Sequence, residues 1–553
     1  MEHFSGEILT DERVEQYLSN DIWTSETFID VFKKDVAAYP LLVHKDEHQS
    51  MTYRDMWTKM EALAAGFYKL GIRKGDHIGL QLSNNLDYVL AVLAAARIGA
   101  VSVLLQIDLG EEALRTSLLQ SQVKILITAD SYRGQDLWRR DTHLISSIAR
   151  LTTLIVQGNE TALSDDVIAF SSLKNSGDKL PDAILEQNAP KPLDPFMMAF
   201  TSGTTGSPKG VVHLHANYLW AARAYIRNFN YAPGDCVLTI APIAHQTGML
   251  AGIMMTIVSG GRIALLDRFS AQRVFQWIVR EQAAFIISAP PHVTHLAHAP
   301  GLQNVNTSSV KLLIYAGSPV PSTVLNQLQE KGRIHVGCLF GWTEGFVATL
   351  TKPNDPVEAV SHTVGFAVPG VEIRLVNALG QVVAQGETGE MWSRGPNFCA
   401  GYYQLPEAAR ARWDDDGWFH SGDLLYQDKD KRYHFVGRAD DIINRGGTKI
   451  DPKSVEDVVS GFPNVESVNV VGVPHPKLGQ QTVACLILKK GSEPFTLQSL
   501  RTYLGTHGLG KFQYPDRLEF FTNFPRTSSG KPQKNILKKW VIKRLNDEKQ
   551  LAN

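Results

Sequence analysis

Residues 201–210 read Thr201-Ser202-Gly203-Thr204-Thr205-Gly206-Ser207-Pro208-Lys209-Gly210 and follow directly on the apolar run Phe196–Phe200. Glycines let a backbone turn its N–H groups inward, and the hydroxyl groups and Lys209 add further hydrogen-bond donors. Such a loop at the end of a strand suits a polyphosphate, although a polar surface turn has the same composition. It does not match the GxxxxGK[ST] loop, because Pro208 stands where that pattern requires glycine.

On the N-terminal side of this loop, short apolar segments alternate with helical patterns. Met60, Leu63, Ala64, Phe67 and Leu70 recur at the spacing of a helix face. Alternation of buried strands with helices is typical of a doubly wound parallel sheet, so we expect an α/β fold. The segments that carry this prediction are strands at 77–82, 101–105 and 125–128 and a helix at about 86–98.

The pattern changes toward the C-terminus. Residues 371–376 and 389–393 read as antiparallel strands joined by glycine-containing turns, which predicts a β-rich subdomain. From about residue 440 the chain has its own alternation of helix and strand. We therefore expect a large N-terminal domain at 1–439 and a small, mobile α+β domain at 440–553.

Composition excludes several classes of protein. The 553 residues include 55 Lys and Arg against 56 Asp and Glu, a net charge of -1, which argues against a nucleic-acid partner. The four cysteines are far apart and form no CxxC pair. The longest apolar stretch, 249–258, is about half of the ~20 residues that a spanning helix needs. With no signal-peptide pattern at the N-terminus, these features predict a cytoplasmic protein without stable membrane insertion.

Six further segments occur in a fixed order after the loop, and together they identify a family. They are APIAH at 241–245, YAGSP at 315–319, FGWTE at 340–344, SGD at 421–423, GRADDIINRGG at 437–447 and PRTSSGK at 525–531. The chain resembles, from about Trp23 onward, the adenylate-forming ligases: acyl-CoA synthetases, aryl-acid adenylating enzymes, luciferases and peptide-synthetase adenylation domains. Among these it looks most like the medium-chain acyl-CoA ligases.

The resemblance implies a reaction in two steps. A carboxylate attacks the α-phosphate of ATP and releases pyrophosphate, and a thiol then attacks the acyl-adenylate and releases AMP. The implied cofactors are ATP, Mg²⁺ and coenzyme A. A carrier protein in place of coenzyme A, and a homodimer, both stay open.

The resemblance also assigns roles to individual residues. Lys531, His245, Thr343 and Glu344 would be catalytic, and Glu344 would hold the magnesium ion. Asp423 and Arg438 would bind the ribose, Asp440 would be the hinge between two poses of the small domain, and Gly446 and Gly447 would face the thiol tunnel. The remaining nucleotide-binding positions would be Thr201, Ser202, Gly203, Thr204, Thr205, Gly206, Lys209, Gly317, Ser318, Pro319, Phe340, Gly341, Trp342 and Phe435.

Each residue type also has an ordinary structural use. A glutamate such as Glu344 is most often solvated, and an aspartate such as Asp423 often caps a Ser-Gly-Asp turn. Lys531 precedes a basic tail, in which charges are commonly just solvated. The ordered set of motifs favours the functional interpretation over these.

The acyl pocket is expected around His245, Gln246 and Ala316. Salicylate-type relatives place asparagine where this chain has Gln246, and the segment 245–250 is more similar to medium-chain acyl-CoA ligases. No charged residue lies between 241 and 258 and no acidic residue between 220 and 228. Since the ammonium group of an amino acid needs a buried carboxylate, we expect an apolar acid: medium-chain, alicyclic or aromatic. The alternative is an enzyme that loads a carrier-protein phosphopantetheine arm.

Overall fold

The computed structural model describes residues 8–158, 167–201, 208–526 and 532–552. The chain divides into two compact units, the first formed by residues up to Glu372 with Ser393–Phe419 and the second by Ile373–Trp392 with residues from His420 onward. The two units do not divide at the expected domain boundary, 439/440. That boundary stays a prediction.

The N-terminal part of the first unit alternates helices with short strands, as its hydrophobic pattern predicts. In chain order its elements are α1 (Asp11–Ser19), α2 (Phe28–Ala38), β1 (Val43–Lys45), β2 (Ser50–Thr52), α3 (Tyr53–Lys69), β3 (His77–Gln81), α4 (Leu86–Arg97), β4 (Val101–Leu104), α5 (Glu111–Ser121), β5 (Ile125–Ala129), β6 (Ser131–Tyr132), β7 (Gln135–Asp136), α6 (Leu137–Ser147), β8 (Thr153–Gln157), β9 (Ile168–Ala169), α7 (Phe170–Lys174), α8 (Asp182–Gln187) and β10 (Pro195–Thr201).

The middle of the chain continues the alternation up to a short β-rich stretch. Its elements are β11 (Lys209–Leu214), α9 (His215–Phe229), β12 (Cys236–Thr239), a π-helix (Thr247–Met254), α10 (Met255–Val258), β13 (Arg262–Leu265), α11 (Ala271–Glu281), β14 (Ala283–Ser288), α12 (Pro290–His298), a 3₁₀ turn (Leu302–Asn304), β15 (Leu312–Ala316), α13 (Ser322–Gly332), β16 (Val336–Phe340), β17 (Thr349–Leu350), α14 (Val357–His362) and β18 (Phe366–Ala367).

The remaining elements lie mostly in the second unit. They are β19 (Glu372–Val376), β20 (Gly389–Arg394), β21 (Gly401–Tyr402), α15 (Pro406–Arg410), β22 (Phe419–Gln427), β23 (Tyr433–Arg438), a 3₁₀ turn (Ala439–Asp441), β24 (Ile443–Arg445), β25 (Thr448–Ile450), α16 (Pro452–Val459), β26 (Val465–His475), β27 (Gly479–Leu488), α17 (Leu497–Thr506), a 3₁₀ turn (Lys511–Gln513), β28 (Arg517–Phe520) and α18 (Lys534–Ala552).

Two large sheets form the core of the first unit. Among the described residues one has nine strands in the order β18-β17-β16-β15-β14-β12-β13-β1-β2, and the other has eight in the order β21-β11-β10-β4-β3-β5-β8-β9. Neighbours β13, β12, β14, β15 and β16 run parallel, as do β10, β4, β3, β5 and β8. Their side chains are almost all buried, as expected of strands covered on both faces. The predicted α/β fold class is confirmed.

The second unit contains two smaller sheets. Most of a four-stranded sheet, ordered β19-β20-β22-β23, belongs to it, and a sheet ordered β25-β24-β27-β26, with β28 beside β27, forms its C-terminal part. Helices α16 and α17 bury Val455, Val459, Leu500 and Leu504 against the second of these sheets. The strands expected at 371–376 and 389–393 are present, and helices alternate with strands after residue 440 as expected. Within the described residues, no helix is both long enough and apolar enough to cross a membrane.

One buried carboxyl group on α2 lacks a partner. Asp35 has a carboxyl oxygen that is buried and makes no hydrogen bond within the described residues. Burial raises the pKa of the Asp35 carboxyl to about 7. Between about pH 4 and about pH 7 this carboxyl group stays protonated in the folded chain but is ionised in the unfolded chain. The free energy of unfolding therefore falls as the pH rises through this range.

We therefore expect Asp35→Asn to stabilise the protein at pH 8, by about 1–3 kcal/mol once solvent screening is considered, and to have little effect at pH 4. Urea unfolding at both pH values measures this difference. Asp21→Asn is the control, since Asp21 is an exposed carboxylate at a φ of 54° that asparagine accepts. An equal gain at pH 4 and pH 8 would contradict the assignment.

Candidate active site

In the first unit, the segments that are expected to form the site begin at one edge of the nine-stranded sheet. Because β12, β14, β15 and β16 are parallel, their carboxyl ends lie together. Residues 240–246 follow β12, residues 317–319 follow β15, and residues 341–344 follow β16. Ligands of open α/β sheets bind at this edge, so the topology brings together three motifs that are spread over about 100 residues of the sequence.

The loop after β16 is a tight turn with little freedom. A side chain at Gly341 would place its Cβ 2.2 Å from the carbonyl oxygen of Phe346, so only glycine fits there. The N–H of Ala348 donates to the carbonyl of Phe340 at 2.8 Å, which closes the turn onto β17. Phe346 has a φ of 54°, a strained conformation for a side chain of its size. The turn therefore holds Trp342, Thr343 and Glu344 in one place.

Glu344 has a buried carboxylate that accepts one side-chain hydrogen bond from the residues that the structure describes. Its side chain is 7% exposed, and the Tyr402 hydroxyl donates to Oε1 at 2.7 Å. Burial first, and then the Glu344 charge, raise the pKa of the Tyr402 phenol, which keeps it a donor. In the described part of the chain, no lysine or arginine forms an ion pair with Glu344.

A buried charge is costly unless a counter-charge or further hydrogen bonds compensate it. Mg²⁺ prefers hard oxygen ligands and takes few protein carboxylates. Glu344, with the Thr343 hydroxyl beside it in sequence, therefore fits a site at which substrate phosphates and water supply the other ligands of a magnesium ion.

The residues at the two ends of the phosphate loop pair with each other, and one of them lies near Tyr402. Thr201, at the end of β10, pairs with Lys209, at the start of β11, across the antiparallel ladder. The Lys209 ammonium lies 5.0 Å from the centroid of the Tyr402 ring. Tyr402 itself is placed by the pairing of β21 with β11, where it lies opposite Val211. The contacts from Lys209 through Tyr402 to Glu344 thus join the end of the loop to the expected metal ligand.

Several residues named from the sequence cannot be placed. Ser202, Gly203, Thr204, Thr205, Gly206 and Lys531 lie outside the described residues. The segment that contains Lys531 is flanked by an isolated antiparallel bridge between Arg526 and Pro532. The two residues that flank this segment are therefore paired with each other within the second unit.

The acyl-pocket residues stand at the start of the π-helix. Asn84, just after β3, accepts from the N–H of Ile243 at 2.9 Å and donates to the carbonyl of Ala241 at 2.9 Å. Gln106, after β4, donates to the carbonyl of Ala244 at 3.2 Å. The eight-stranded sheet thereby fixes the backbone directly before His245.

The π-helix that follows packs closely against the end of β12 and the loop after it. A Cβ at Gly248 would lie 2.3 Å from the carbonyl of Pro242, and one at Gly252 would lie 2.5 Å from the Thr239 hydroxyl. Two glycines four residues apart therefore let the helix touch the strand end. π-Helices occur frequently at functional sites, and this one begins one residue after Gln246.

Gln246 is a polar side chain in an apolar setting. It is 7% exposed, and its Oε1 accepts a hydrogen bond from the Tyr218 hydroxyl of α9. Its Nε2 is buried and has no hydrogen-bond partner within the described residues. His245 is half-buried, and its Nδ1 accepts from the N–H of Thr247 at 3.2 Å. Ala316 is half-buried at the end of β15, whereas Gly317, Ser318 and Pro319 are exposed.

The second unit brings together the expected ribose contacts. Asp423 on β22 lies opposite Arg438 on β23, and the Arg438 Nε is 2.9 Å from the Asp423 Oδ1. Arg438 also donates from Nη2 to the carbonyl of Ser421 at 2.8 Å. Phe435 is on β23, three residues before Arg438.

The expected hinge and tunnel residues follow directly along the chain. Asp440 is exposed in a 3₁₀ turn, and Gly446 and Gly447, at φ of 60° and 88°, form the turn between β24 and β25. Glycine adopts a left-handed backbone at two successive positions with little strain, because it has no Cβ.

The sequence patterns missed two residues of the first unit. The Tyr402 hydroxyl donates to Glu344, which is 58 residues away in the sequence. The Tyr218 hydroxyl donates to Gln246, which is 28 residues away. Neither carries a local signal, because strand pairing and helix packing alone bring them to the site.

Comparison with known proteins agrees with this geometry. The family described as "AMP-binding enzyme" matches residues 30–403, and its C-terminal domain matches residues 454–531. The chain is 29% identical to the medium-chain fatty-acid–CoA ligase of Escherichia coli K12 over 97% of this chain and 94% of that protein. It is 30% identical to the pyochelin synthase PchD of Pseudomonas aeruginosa UCBPP-PA14 over 96% and 95%.

A solved structure has the same fold. The o-succinylbenzoate CoA synthetase of Bacillus subtilis, in complex with its acyl-adenylate, superposes with a TM-score of 0.80 at 25% identity, over 93% of this chain and 98% of that one. The family match covers more than half of the sequence, and the matched ranges contain the motifs at 201–210, 241–245, 315–319, 340–344 and 525–531. The chain belongs to the AMP-binding enzyme family, the adenylate-forming ligases.

Proposed function

We propose that this enzyme activates an apolar carboxylic acid with ATP and transfers the acyl group to the thiol of coenzyme A. The observation that carries the proposal is the buried Glu344 carboxylate, which is joined through Tyr402 to Lys209 at the end of the phosphate loop. A buried anion with one phenolic donor is suited to a cation that arrives with a polyphosphate.

The first step must overcome repulsion between two anions. An oxygen of the carboxylate attacks the α-phosphorus, the bond from that phosphorus to the bridging oxygen breaks, and pyrophosphate leaves. A bound magnesium ion would supply charge neutralisation on the phosphate oxygens. Thr343 would donate to the α-phosphate, and Lys209 would hold the polyphosphate. Lys531 would neutralise the charge where carboxylate and phosphate meet.

In the second step the thiol sulfur, as thiolate, attacks the acyl carbon and AMP leaves with the bonding pair. Asp423 would accept hydrogen bonds from the ribose hydroxyls, and its pairing with Arg438 orients its carboxylate. Asp440 would be the hinge of the small domain, taken as residues 440–553. Gly446 and Gly447 would let the pantetheine arm pass close to the backbone.

The acyl pocket supports an apolar acid. His245 and Ala316 are half-buried beside the parallel edge, and the π-helix is apolar and buried along 248–254. A relative with 29% identity is a medium-chain fatty-acid–CoA ligase, which favours coenzyme A as the acceptor. The alternative acceptor is the phosphopantetheine arm of a carrier protein. Gln246 Nε2 would donate to an acid that carries a hydrogen-bond acceptor near its carboxylate.

ATP–pyrophosphate exchange with a panel of acids tests the proposal. The panel contains medium-chain, alicyclic and aromatic acids, with and without a polar group beside the carboxylate. We expect exchange with at least one acid, and AMP formation that rises when free coenzyme A is added. Turnover with a carrier protein alone would establish the alternative, and failure of every acid would contradict adenylation itself.

Glu344→Gln keeps the shape of the side chain and an oxygen for Tyr402 but removes the charge. We expect it to lower the exchange rate by roughly 100-fold or more and to raise the Mg²⁺ requirement, because a metal ligand is lost. Tyr402→Phe is the matched variant: it keeps Glu344 charged, so the loss is expected to be about tenfold. Equal rates for Glu344→Gln and the unmodified enzyme would exclude Glu344 as the metal ligand.

The two half-reactions separate the roles of Lys531 and Gly447. Lys531→Ala should lower adenylate formation by roughly 100-fold and spare thiol transfer from preformed acyl-adenylate. Gly447→Leu should do the reverse by obstructing the tunnel. Gly491→Leu is the strain control, since Gly491 has a similar φ of 81° and open space around it in the same unit. Parallel loss of both half-reactions in Lys531→Ala would refute its assigned role.

A further inference from the structure

Behind the loop that carries Thr343 and Glu344 lies a chain of three buried polar side chains. His213 is on β11, Asn217 is in the first turn of α9, and Asn397 lies between β20 and β21. All three are fully buried, at 0% exposure, and all belong to the first unit. None of them occurs in a motif that the sequence analysis singled out.

These side chains bind the carbonyl groups of the loop. The His213 Nε2 lies 2.9 Å from the carbonyl oxygen of Thr343. Asn397 donates from Nδ2 to the carbonyl of Val347 at 3.0 Å and also to the carbonyl of Gly345. The bonded carbonyls therefore belong to Thr343 and Gly345, which flank Glu344, and to Val347.

Asn217 connects the other two residues. Its Nδ2 lies 3.0 Å from the His213 Nδ1 and 3.2 Å from the carbonyl oxygen of Asn397, and its Oδ1 accepts from the N–H of Leu214 at 2.7 Å. A carbonyl can only accept, so His213 must carry its proton on Nε2 to bind Thr343. Nδ1 is then the acceptor for the Asn217 amide. The network fixes one tautomer and one ring orientation.

Ring packing holds the same turn from the side. The imidazole of His213 stacks on Phe346 with centroids 4.1 Å apart and an interplanar angle of 22°. The Tyr218 ring meets Phe346 edge-on at 4.7 Å. Phe346 is the residue at a φ of 54°, a conformation that persists only where the surroundings enforce it. His213 thus contacts both the strained residue and the residue before Glu344.

Satisfying buried carbonyls is an ordinary structural task, and any polar residue could do it. Here the three bonded carbonyls are concentrated in residues 343–347, and they bracket the one carboxylate expected to bind the metal. Loss of such a bond would leave the turn free to relax and would move Glu344 and Thr343 together. Loss of the His213 donor would also leave a buried carbonyl unsatisfied and destabilise the fold, so the positioning role is measured by Mg²⁺ affinity against a control of similar stability.

We propose that His213, held by Asn217, is a positioning residue that sets Thr343 and Glu344 toward the magnesium ion and the α-phosphate. This inference rests on the proposed function of those two residues. Asn397 supports the same turn from its C-terminal side. His213 touches neither substrate nor metal and acts through the Thr343 carbonyl.

His213→Leu removes the donor and keeps an apolar side chain against Phe346. We expect the Mg²⁺ concentration for half-maximal pyrophosphate exchange to rise about five- to tenfold, while the KM for the acid stays within about twofold. His213→Gln, whose amide can reach the position of the imidazole Nε2, should restore most of the Mg²⁺ affinity. If His213→Leu fails to fold, His213→Asn replaces it, since its amide reaches Asn217 but is too short for Thr343.

His215→Leu is the matched control. His215 is two residues away, 1% exposed, and its Nδ1 accepts from the N–H of Phe28 at 3.3 Å, far from the turn in the chain. It should lose a comparable amount of thermal stability without any change in Mg²⁺ requirement. The inference is overturned if folded His213→Leu keeps the original requirement, or if His215→Leu shifts it equally.

Calorimetric titration with ATP, with and without Mg²⁺, separates this inference from the proposed function. Protein that binds Mg²⁺–ATP but exchanges no pyrophosphate with any acid contradicts the proposed function alone, and weaker Mg²⁺-dependent binding by His213→Leu still supports the positioning role. Absence of any Mg²⁺-dependent binding to the unmodified protein contradicts both.

Discussion

The site depends on keeping one carboxylate buried at the end of a parallel strand. Glu344 is 7% exposed, and the phenol of Tyr402 compensates only part of its charge. Within the described residues Glu344 has no ion-pair partner, which makes a buried charge costly, and the strained turn of 341–346 limits its movement. The stability of the first unit thus supports a local arrangement that is unfavourable by itself.

Much of the fold could be predicted from local patterns. The short apolar strands and the helices with spaced Leu and Ala gave the parallel sheets, because both elements have a periodicity that is readable within ten residues. The order of strands could not be read this way. That β12 lies between β13 and β14, and that β21 pairs with β11, depends on contacts between segments tens to hundreds of residues apart.

The separation of interacting residues along the sequence also explains which site residues could be predicted. Asp423 and Arg438 belong to motifs and face each other across a hairpin, so a local signal sufficed. Tyr402 and His213 reach the loop of Glu344 from 58 and 130 residues away. The π-helix could not be predicted for another reason: the close approach of Gly248 to Pro242 and of Gly252 to Thr239 joins segments whose contact no local pattern indicates.

At the proposed acyl pocket, the backbone is held separately from the side chains. Asn84 binds both sides of the Pro242 peptide, and Gln106 binds the Ala244 carbonyl, so the eight-stranded sheet holds the main chain before His245. All of these bonds go to backbone atoms. Side chains at 245, 246 and along the π-helix can therefore change without disturbing this backbone. The chemistry of adenylation requires only that the carboxylate end of the acid stays fixed relative to the α-phosphate, and the rest of the pocket is left to select the acid.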